Sequence, residues 1–155
     1  MIAVLQRAAQ AAVRVDERIV GEIKKGLLIL LGVAEGDTRE DAELLAKKIL
    51  ACRIFCDEND KMNLSVRDVK GSVLVVSNFT LLANYRHGNR PDYMGAAKPE
   101  QADALYRYFS DLLGREVPVA NGEFGADMRV HLVGDGPVTI VMDSNELKKK
   151  KEKTQ

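Results

Sequence analysis

Hydrophobic and polar positions alternate at the start of the chain and give way to uniformly apolar runs further on. The stretches "AVRV" (residues 12–15) and "IVGEI" (residues 19–23) flank a polar Asp-Glu-Arg sequence and have the period of two that predicts a hairpin with one buried face. "GLLILLGV" (residues 26–33) is apolar throughout and bounded by glycine, which favours a central strand covered on both faces. "SVLVV" (residues 72–76) is β-branched and predicts a further strand.

Two other segments place apolar residues at helical spacing. The first follows Asp37 or Thr38, either of which can cap a helix, and Glu40 or Asp41 is placed for the return contact of a capping box. The second begins at Pro99, and proline is well suited to the first turn of a helix. The two apolar stripes are Ala42, Leu45, Ala46, Ile49 and Leu50, and Ala102, Leu105, Tyr106, Phe109 and Leu112. Each stripe predicts a helix packed by one face.

The remaining segments complete the predicted topology. Residues 56–71 are rich in turn formers, and they lack the central glycine and terminal glutamate of a calcium-binding loop. Three extended pieces close the chain, "VPVANG", "DMRVHLVG" and "PVTIVMD", and a Gly-Asp-Gly hairpin is expected between the last two. The order β-β-β-α-β-α-β-β-β predicts an α/β (α+β) fold with mixed or antiparallel sheets and two helices packed on one side.

Length and charge suggest one domain with a distinct tail. The 155 residues suit a single domain, which we expect over residues 1–145. Residues 148–153 contain five lysines and one glutamate, so they carry +4, and the zero net charge of the chain leaves −4 for the rest. A mildly acidic body argues against non-specific coating of nucleic acid. Residues 146–155 are expected to be a charged, disordered tail, with a role in binding as the alternative.

Composition also limits the compartment and the cofactors. No window approaches the ~20 apolar residues of a membrane span, and the N-terminus lacks a signal-peptide pattern, so we expect a cytoplasmic protein without membrane association. Cys52 and Cys56 lie four residues apart without a second pair of ligands, and His87 and His131 are distant in sequence. This spacing predicts two free thiols in a reducing compartment rather than a metal site. We also expect no cofactor.

Three stretches contain candidate chemistry, and each has a simpler structural interpretation. "SNFT", Ser77 to Thr80, ends a predicted strand, where hydroxyls, an amide and free N–H groups can orient a carbonyl or merely complete a turn. Arg86, His87 and Arg90 suit phosphate contact or solubility.

Gly136 and Pro137 form the third candidate. Glycine permits close approach of a ligand to the main chain, and X-Pro bonds have a realistic cis population. The simpler interpretation is that proline occupies the first residue of a strand, where its missing N–H is tolerated.

These stretches occur together in one known family. The chain resembles the bacterial and eukaryotic D-aminoacyl-tRNA deacylases, also called D-tyrosyl-tRNA deacylases, from Met1 to about Ser144. The resemblance is carried, in order, by "AVLQRA", "GLLILLGV", "KMNLSV", "SNFTLLA", "NRPDY", "FGADM" and "DGPVT". It implies hydrolysis of the ester bond of D-aminoacyl-tRNA, and of mischarged glycyl-tRNA, as chiral proofreading in translation quality control.

The resemblance also implies a site shared between subunits. In a homodimer, Gly136 and Pro137 would form a Gly–cis-Pro element that reaches into the partner's active site and rejects L side chains. Ser77, Asn78, Phe79 and Thr80 would line the catalytic pocket, and Arg86 and Arg90 are the first candidates for tRNA contact. Two positions depart from the family pattern: Asn78 replaces the usual glutamine, and Gly134 replaces the usual asparagine.

Two hydrolytic mechanisms and two other functions remain open. Thr80 could act as a nucleophile, although no paired base is visible; alternatively, a hydroxyl of the terminal ribose assists water while N–H groups near Phe79 and Thr80 stabilise the oxyanion. The resemblance favours the RNA-assisted route. From the residues alone, an RNA-binding module without turnover or a general small-ester hydrolase is equally defensible.

Overall fold

The computed structural model describes the backbone of residues 1–152 and the side chains of residues 1–149. The strands are β1 Ile2–Val15, β2 Arg18–Ile23, β3 Gly26–Gly32, β4 Phe55–Cys56, β5 Met62–Leu64, β6 Ser72–Ser77, β7 Val119–Asn121 and β8 Arg129–Asp143; the helices are α1 Arg39–Ala51, α2 Pro99–Gly114 and α3 Ser144–Glu152, with a 3₁₀ turn at Phe79–Leu82. Within residues 1–152, no helix is long and apolar enough to cross a membrane.

The long strand β1 organises the main sheet. Residues 2–8 of β1 pair antiparallel with β3 and residues 11–15 pair antiparallel with β2, so β2 and β3 follow one another along β1. β8 pairs antiparallel with β1 over almost its whole length. β3, β6 and β7 then continue the sheet as parallel neighbours, which confirms the predicted mixed sheet.

The two faces of this sheet bury different apolar clusters. Alternate residues of β3 and β6, such as Ile29 and Val75, face α1 and α2 in the larger cluster. The residues between them, such as Leu28 and Leu74, belong to a second cluster with β1 and β2, which contains no helical residue. The predicted packing of both helices on one side is therefore confirmed.

The predicted hairpin between the last two strands is wrong, because β8 is one strand with an interruption. Ala8 pairs with Gly134 and Gln6 with Thr139, so β1 advances two residues while β8 advances five. Residues 135–138 therefore leave the ladder as a bulge, a position where proline is tolerated because it has no N–H to donate. Both halves of β8 find partners on β1 because β1 has 14 residues.

Residues 144–152 form α3, which includes the described part of the predicted tail. Lys148 Nζ lies 2.8 Å from Asp41 Oδ1 of α1, and Ser144 Oγ donates to the same oxygen at 2.6 Å. Leu147 packs against the larger cluster. The fold thus has a third helix, whereas Lys153 lies outside the described residues.

Two smaller features concern the connections. Thr38 is the N-cap of α1, and its backbone N–H donates a hydrogen bond to the Asp41 carboxylate at 2.8 Å. This is the predicted return contact of the capping box. The turn-rich segment after α1 contains a short hairpin, β4 and β5, that the sequence pattern did not predict. Its turn is held by Asp57 Oδ1, which accepts from the N–H of Asn59 at 2.8 Å.

Candidate active site

The stretch from Ser77 to Thr80 lies where β6 leaves the sheet. The Asn78 N–H donates to Leu31 O at 2.8 Å, which extends the β3–β6 pairing by one step. The chain then turns into the 3₁₀ turn, which packs against the end of β3 at Gly32. A Cβ on Gly32 would lie 2.6 Å from Leu82 Cδ2 and 3.1 Å from Asn78 O, so only glycine allows this close approach.

The side chain of Asn78 is used within the turn itself. Its Oδ1 accepts hydrogen bonds from the Thr80 N–H at 3.2 Å and from the Thr80 hydroxyl. The Thr80 hydroxyl therefore donates to a neutral amide oxygen, which is too weak a base to activate it as a nucleophile. Asn78 thus has a short side chain that hydrogen-bonds within its own turn.

A cleft of about 820 Å³ brings the four predicted catalytic residues together. Ser77, Asn78, Phe79 and Thr80 form one wall. The other walls comprise Val33, Tyr93, Ala96, Ala97, Lys98, Pro99, Ala102, Phe124, Gly125, Ala126, Asp127 and Met128. The titratable side chains of this lining are Tyr93, Lys98 and Asp127, so it contains no histidine or cysteine that could act as a base or nucleophile.

The wall formed by residues 124–128 was not predicted from the sequence, although its "FGADM" motif carried the resemblance. Its position depends on Tyr106 of α2, whose ring centroid lies 6.0 Å from that of Phe124. The Tyr106 hydroxyl donates to Val75 O at 2.8 Å. Burial raises the pKa of Tyr106 to about 12, so its hydroxyl keeps its proton at neutral pH. Tyr106 therefore connects α2, β6 and this wall.

Tyr93 ends the "NRPDY" motif that carried the resemblance, but it was not predicted to belong to the site, whose wall it helps to form. Its ring meets that of Phe79 edge-on, with 5.0 Å between the centroids. Phe79 remains 57% exposed, so this aromatic pair opens to solvent at the mouth of the cleft. No simple periodicity marks Tyr93, because it lies in an irregular segment.

Gly136 and Pro137 lie in the bulge of β8, and the peptide bond between them is cis. Both residues are exposed, and neither lines the cleft of the same chain. The structure therefore does not bring them together with Ser77–Thr80 within one protomer. Gly136 has a φ of 137°, which L side chains rarely adopt, and a Cβ there would lie 2.7 Å from Val138 N.

Arg7 supports this bulge through contacts with two distant segments of the chain. Its Nε donates to Asp135 O at 3.0 Å and lies 3.4 Å from Asp135 Oδ2. Its Nη1 donates to Ile54 O at 2.8 Å, so the guanidinium links the bulge to the segment before β4. Only 11% of the Arg7 side chain is exposed. Sequence pattern alone did not reveal this role, because the partners lie 47 and 128 residues away.

Arg86 and Arg90 are exposed on a loop outside the cleft. The base of the loop is closed by Asn84 and Asp92, which exchange backbone hydrogen bonds of 2.8 and 2.9 Å. The loop leads directly to Tyr93 in the cleft wall. The two arginines therefore lie beside the candidate site rather than in it.

The cysteines are free thiols in this structure. Cys52 is half-buried, and burial raises the pKa of its thiol. Cys56 is exposed, and its Sγ lies 3.7 Å from Arg7 Nη1. Among the described residues, no three His, Cys, Asp or Glu side chains are grouped as a metal site would require.

Comparison with known proteins identifies the family. A sequence model described as D-Tyr-tRNA(Tyr) deacylase matches residues 4–143. A D-aminoacyl-tRNA deacylase of Sulfurihydrogenibium sp. (strain YO3AOP1) is 52% identical over 147 residues, covering 95% of this chain and 100% of the relative. The protein of that name from Thermotoga petrophila is 53% identical, covering 95% and 99%.

Two solved structures have a similar fold. The c-Myc DNA Unwinding Element Binding Protein superposes with a TM-score of 0.88 at 39% identity, covering 92% of this chain and 98% of that one. A structure described as a probable eukaryotic D-amino acid tRNA deacylase gives a TM-score of 0.75 at 16% identity, covering 91% and 97%, and shows the shared fold. The chain belongs to the D-Tyr-tRNA(Tyr) deacylase family, a family of hydrolases.

Proposed function

We propose that this chain hydrolyses the ester bond of D-aminoacyl-tRNA in the cytoplasm and releases the free D-amino acid and tRNA. The observation that carries the proposal is the cleft in which Ser77–Thr80 face residues 124–128, in a chain that belongs to a deacylase family. Its volume of about 820 Å³ is sufficient for a nucleoside with its aminoacyl group. We extend the proposal to mischarged glycyl-tRNA, because glycine has no side chain to be rejected.

The proposed attack on the ester uses water rather than a side-chain nucleophile. A free hydroxyl of the terminal ribose assists a water molecule, whose oxygen bonds to the ester carbon. The bond from that carbon to the ribose oxygen then breaks, and the ribose oxygen takes the proton that the attacking water loses. The interaction between the Thr80 hydroxyl and Asn78 Oδ1 supports this route, because it leaves Thr80 without a base. Thr80 positions the substrate.

The developing oxyanion needs a hydrogen-bond donor, and we assign this role to the Phe79 N–H. The Thr80 N–H already donates to Asn78 Oδ1. Phe79 is the first residue of the 3₁₀ turn, and the first N–H groups of a helical turn have no carbonyl partner within it. A fixed N–H aimed at the developing charge stabilises the transition state more than the ground state.

Chirality would be judged by main chain supplied by a second copy of the protein. In this proposal Gly136 and Pro137 of one protomer enter the cleft of its partner, hold the α-amino group of a D-aminoacyl ester and block an L side chain. Their exposure and the support from Arg7 favour this role. Discrimination of ~10⁴ requires roughly 5.5 kcal/mol, which a clash with rigid main chain can supply.

The dimer in this proposal would use the outer edge of β8. Among the described strands β8 pairs only with β1, which leaves its other edge unpaired. Val130, Val133 and Val141 of β8 are 42–69% exposed. A long unpaired edge with exposed valines is costly in a monomer and suits pairing with a second copy.

We assign tRNA contact to Arg86 and Arg90, beside the cleft. Both guanidinium groups are exposed and can form bidentate contacts with phosphate. Lys148 is less suited to this role, because it pairs with Asp41 within the fold. Deleting residues 146–155 would therefore disturb α3 as well as remove lysines.

Hydrolysis of D-tyrosyl-tRNA, L-tyrosyl-tRNA and glycyl-tRNA, followed as free amino acid, tests the proposed function. We expect rapid release from the D form and from glycyl-tRNA, and protection of the L form. Equal cleavage of D and L forms, together with cleavage of small esters lacking RNA, would indicate a general esterase. Affinity for the RNA without cleavage would indicate a binding module, and either result would overturn the proposal.

A further inference from the structure

We propose that Tyr85 is a stacking platform for the unpaired nucleotides that precede the terminal adenosine of the substrate RNA. This inference rests on the proposed function, which puts the terminal aminoacyl-adenosine in the neighbouring cleft. The platform is the segment from Tyr85 to Met94, with the Tyr85 ring as its stacking surface and Arg86 and Arg90 as its phosphate contacts.

The exposure of apolar side chains on this segment requires an explanation. Tyr85 is 78% exposed and Met94 is 83% exposed, which makes them the most exposed large hydrophobic side chains described. Within the described part of the chain, Tyr85 has neither a ring partner nor a side-chain hydrogen bond. Most of the Tyr85 side chain is therefore available to a ligand.

The segment is held in place without its apolar side chains. Asn84 and Asp92 exchange backbone hydrogen bonds of 2.8 and 2.9 Å across its base. Asn84 Oδ1 accepts from the Arg86 N–H at 3.1 Å, and Asp92 Oδ1 accepts from the Met94 N–H at 3.2 Å. These bonds fix the main chain on both sides of the base while Tyr85 and Met94 stay uncovered, an arrangement suited to binding.

The segment continues the wall of the cleft. Tyr93 contacts Phe79 at the cleft mouth, whereas Tyr85 follows Asn84 on the opposite side of the base. Tyr85 and Tyr93 are thus the neighbours of two residues that pair directly through their backbones. A strand leaving the cleft past Tyr93 therefore passes the residue pair that adjoins Tyr85.

The charge of the segment selects an RNA strand over a protein as the occupant. Residues 85–94 contain two arginines and one aspartate, a formal charge of +1 in a chain whose net charge is zero. An aromatic ring beside guanidinium groups binds single-stranded nucleic acid, because bases stack on the ring while the cations contact phosphates. The acceptor end of a tRNA is such a strand.

The decisive test is a binding cycle with two acceptor-stem hairpin RNAs, one ending in the unpaired CCA sequence and the other lacking it. The proteins are the wild type, Tyr85→Ala and the matched control Tyr85→Phe, each as the full chain. We expect Tyr85→Ala to weaken binding of the CCA-ended RNA about 5- to 150-fold, the effect of losing one stacked base. Binding of the shortened RNA should not change, and Tyr85→Phe should behave as the wild type.

Equal weakening of both RNAs by Tyr85→Ala, or no weakening of either, would overturn the platform. Loss of CCA-dependent binding in Tyr85→Phe as well would also contradict it, because the ring would still be present. The wild type is assayed in parallel for hydrolysis of D-tyrosyl-tRNA. If the wild type hydrolyses D-tyrosyl-tRNA but Tyr85→Ala does not weaken binding of the CCA-ended RNA, the proposed function stands and the platform is wrong. If Tyr85→Ala weakens that binding but the wild type does not hydrolyse D-tyrosyl-tRNA, the platform stands and the proposed function is wrong.

Discussion

Phe79 and Thr80 are consecutive residues with different hydrogen-bonding situations. The Thr80 N–H and hydroxyl both donate to Asn78 Oδ1, whereas the Phe79 N–H opens the turn. The same short segment thus holds one neutral hydroxyl in a fixed position and presents one N–H for a negative charge. Its chemistry comes from the main chain as much as from side chains.

Phe79→Pro removes this N–H together with the aromatic ring. Asn78 has φ −146° and ψ 93°, an extended conformation that is compatible with a following proline, and proline suits the first position of a helical turn. We expect kcat for D-tyrosyl-tRNA to fall by roughly 10²–10³-fold, as for loss of one oxyanion donor.

Phe79→Ala is the matched control, because it removes the same ring and keeps the N–H. The rates of single-turnover hydrolysis of D-tyrosyl-tRNA by the two variants separate the effect of losing the ring from the effect of losing the N–H donor. Equal rates for Phe79→Pro and Phe79→Ala would show that the Phe79 N–H does not stabilise the transition state.

Thr80→Ala distinguishes a positioning hydroxyl from a nucleophile. Removal of a true nucleophile lowers kcat by up to about 10⁶-fold. We expect Thr80→Ala to retain turnover within about tenfold of the wild type, because its hydroxyl has no base. The measurement is the rate of amino-acid release from D-tyrosyl-tRNA; an acyl group trapped on Thr80 would refute the water mechanism.

The 3₁₀ turn owes its position to the end of β3. Gly32→Ala would place a Cβ 2.6 Å from Leu82 Cδ2 and 3.0 Å from Leu81 Cβ, so the turn must move away from the sheet. We expect hydrolysis of D-tyrosyl-tRNA to fall at least tenfold, since small displacements of catalytic groups have large effects on rate.

Gly114→Ala is the control for this substitution. A Cβ there would be 3.7 Å from Val119 Cγ2, an ordinary contact, and alanine favours the helix. Circular dichroism and steady-state rates should show both variants folded and only Gly32→Ala impaired. An active Gly32→Ala protein would show that the turn is not held by this contact.

The junction of α1 and α3 depends on Asp41. Burial acts to raise the pKa of Asp41, but hydrogen bonds from Lys148, Ser144 and the Thr38 N–H, together with the Lys148 charge, lower it to about 2. Because the folded-state pKa lies below the ordinary 3.8, the carboxylate stabilises the fold above about pH 4. This contribution is lost as the pH falls from about 4 towards 2.

Asp41→Asn should therefore reduce the free energy of unfolding at pH 7 by about 2 kcal/mol or more. The difference from the wild type should narrow as the pH falls below 4, because the wild type loses the same charge. Urea denaturation at pH 7 and pH 3 measures both quantities, with the exposed Asp111→Asn as control. A difference that is unchanged by pH would show that the charge of Asp41 is not what stabilises the junction.

Sequence patterns predicted most elements of the molecule but not how distant segments meet. The period-two and uniformly apolar runs gave β1, β3 and β6 in the correct order, and the helical stripes gave α1 and α2. The interruption at residues 135–138 resembled a reversing turn, because glycine and proline suit a turn and a bulge equally. Only the length of β1 decides between them.

The candidate site residues also divide into those that local sequence indicates and those that only the packing of distant segments brings to the site. Ser77–Thr80 were recognisable in sequence and line one cleft, whereas Tyr93 and residues 124–128 join it only through the packing of α2 and Tyr106. Lys148 looked like part of a free tail, since nothing local indicated that Asp41, 107 residues earlier, would bind it. The contribution of a second protomer likewise lies beyond patterns in one chain.

The whole-molecule claim is that each active site combines the cleft of one protomer with Gly136 and Pro137 of the other. It can be tested by mixing two defective subunits, Phe79→Pro in the cleft and Gly136→Val in the bulge. Gly136→Val is chosen because the positive φ at this position and the 2.7 Å approach to Val138 N leave no room for a side chain.

The deciding measurement is D-tyrosyl-tRNA hydrolysis by subunits carrying different tags, refolded together and compared with each defective homodimer. Random pairing makes half of the dimers mixed, and each mixed dimer contains one intact combination, so we predict about one quarter of wild-type activity. Activity no higher than the mean of the two defective homodimers would show that cleft and bulge do not combine across subunits, and the proposed basis of chiral selection would be wrong.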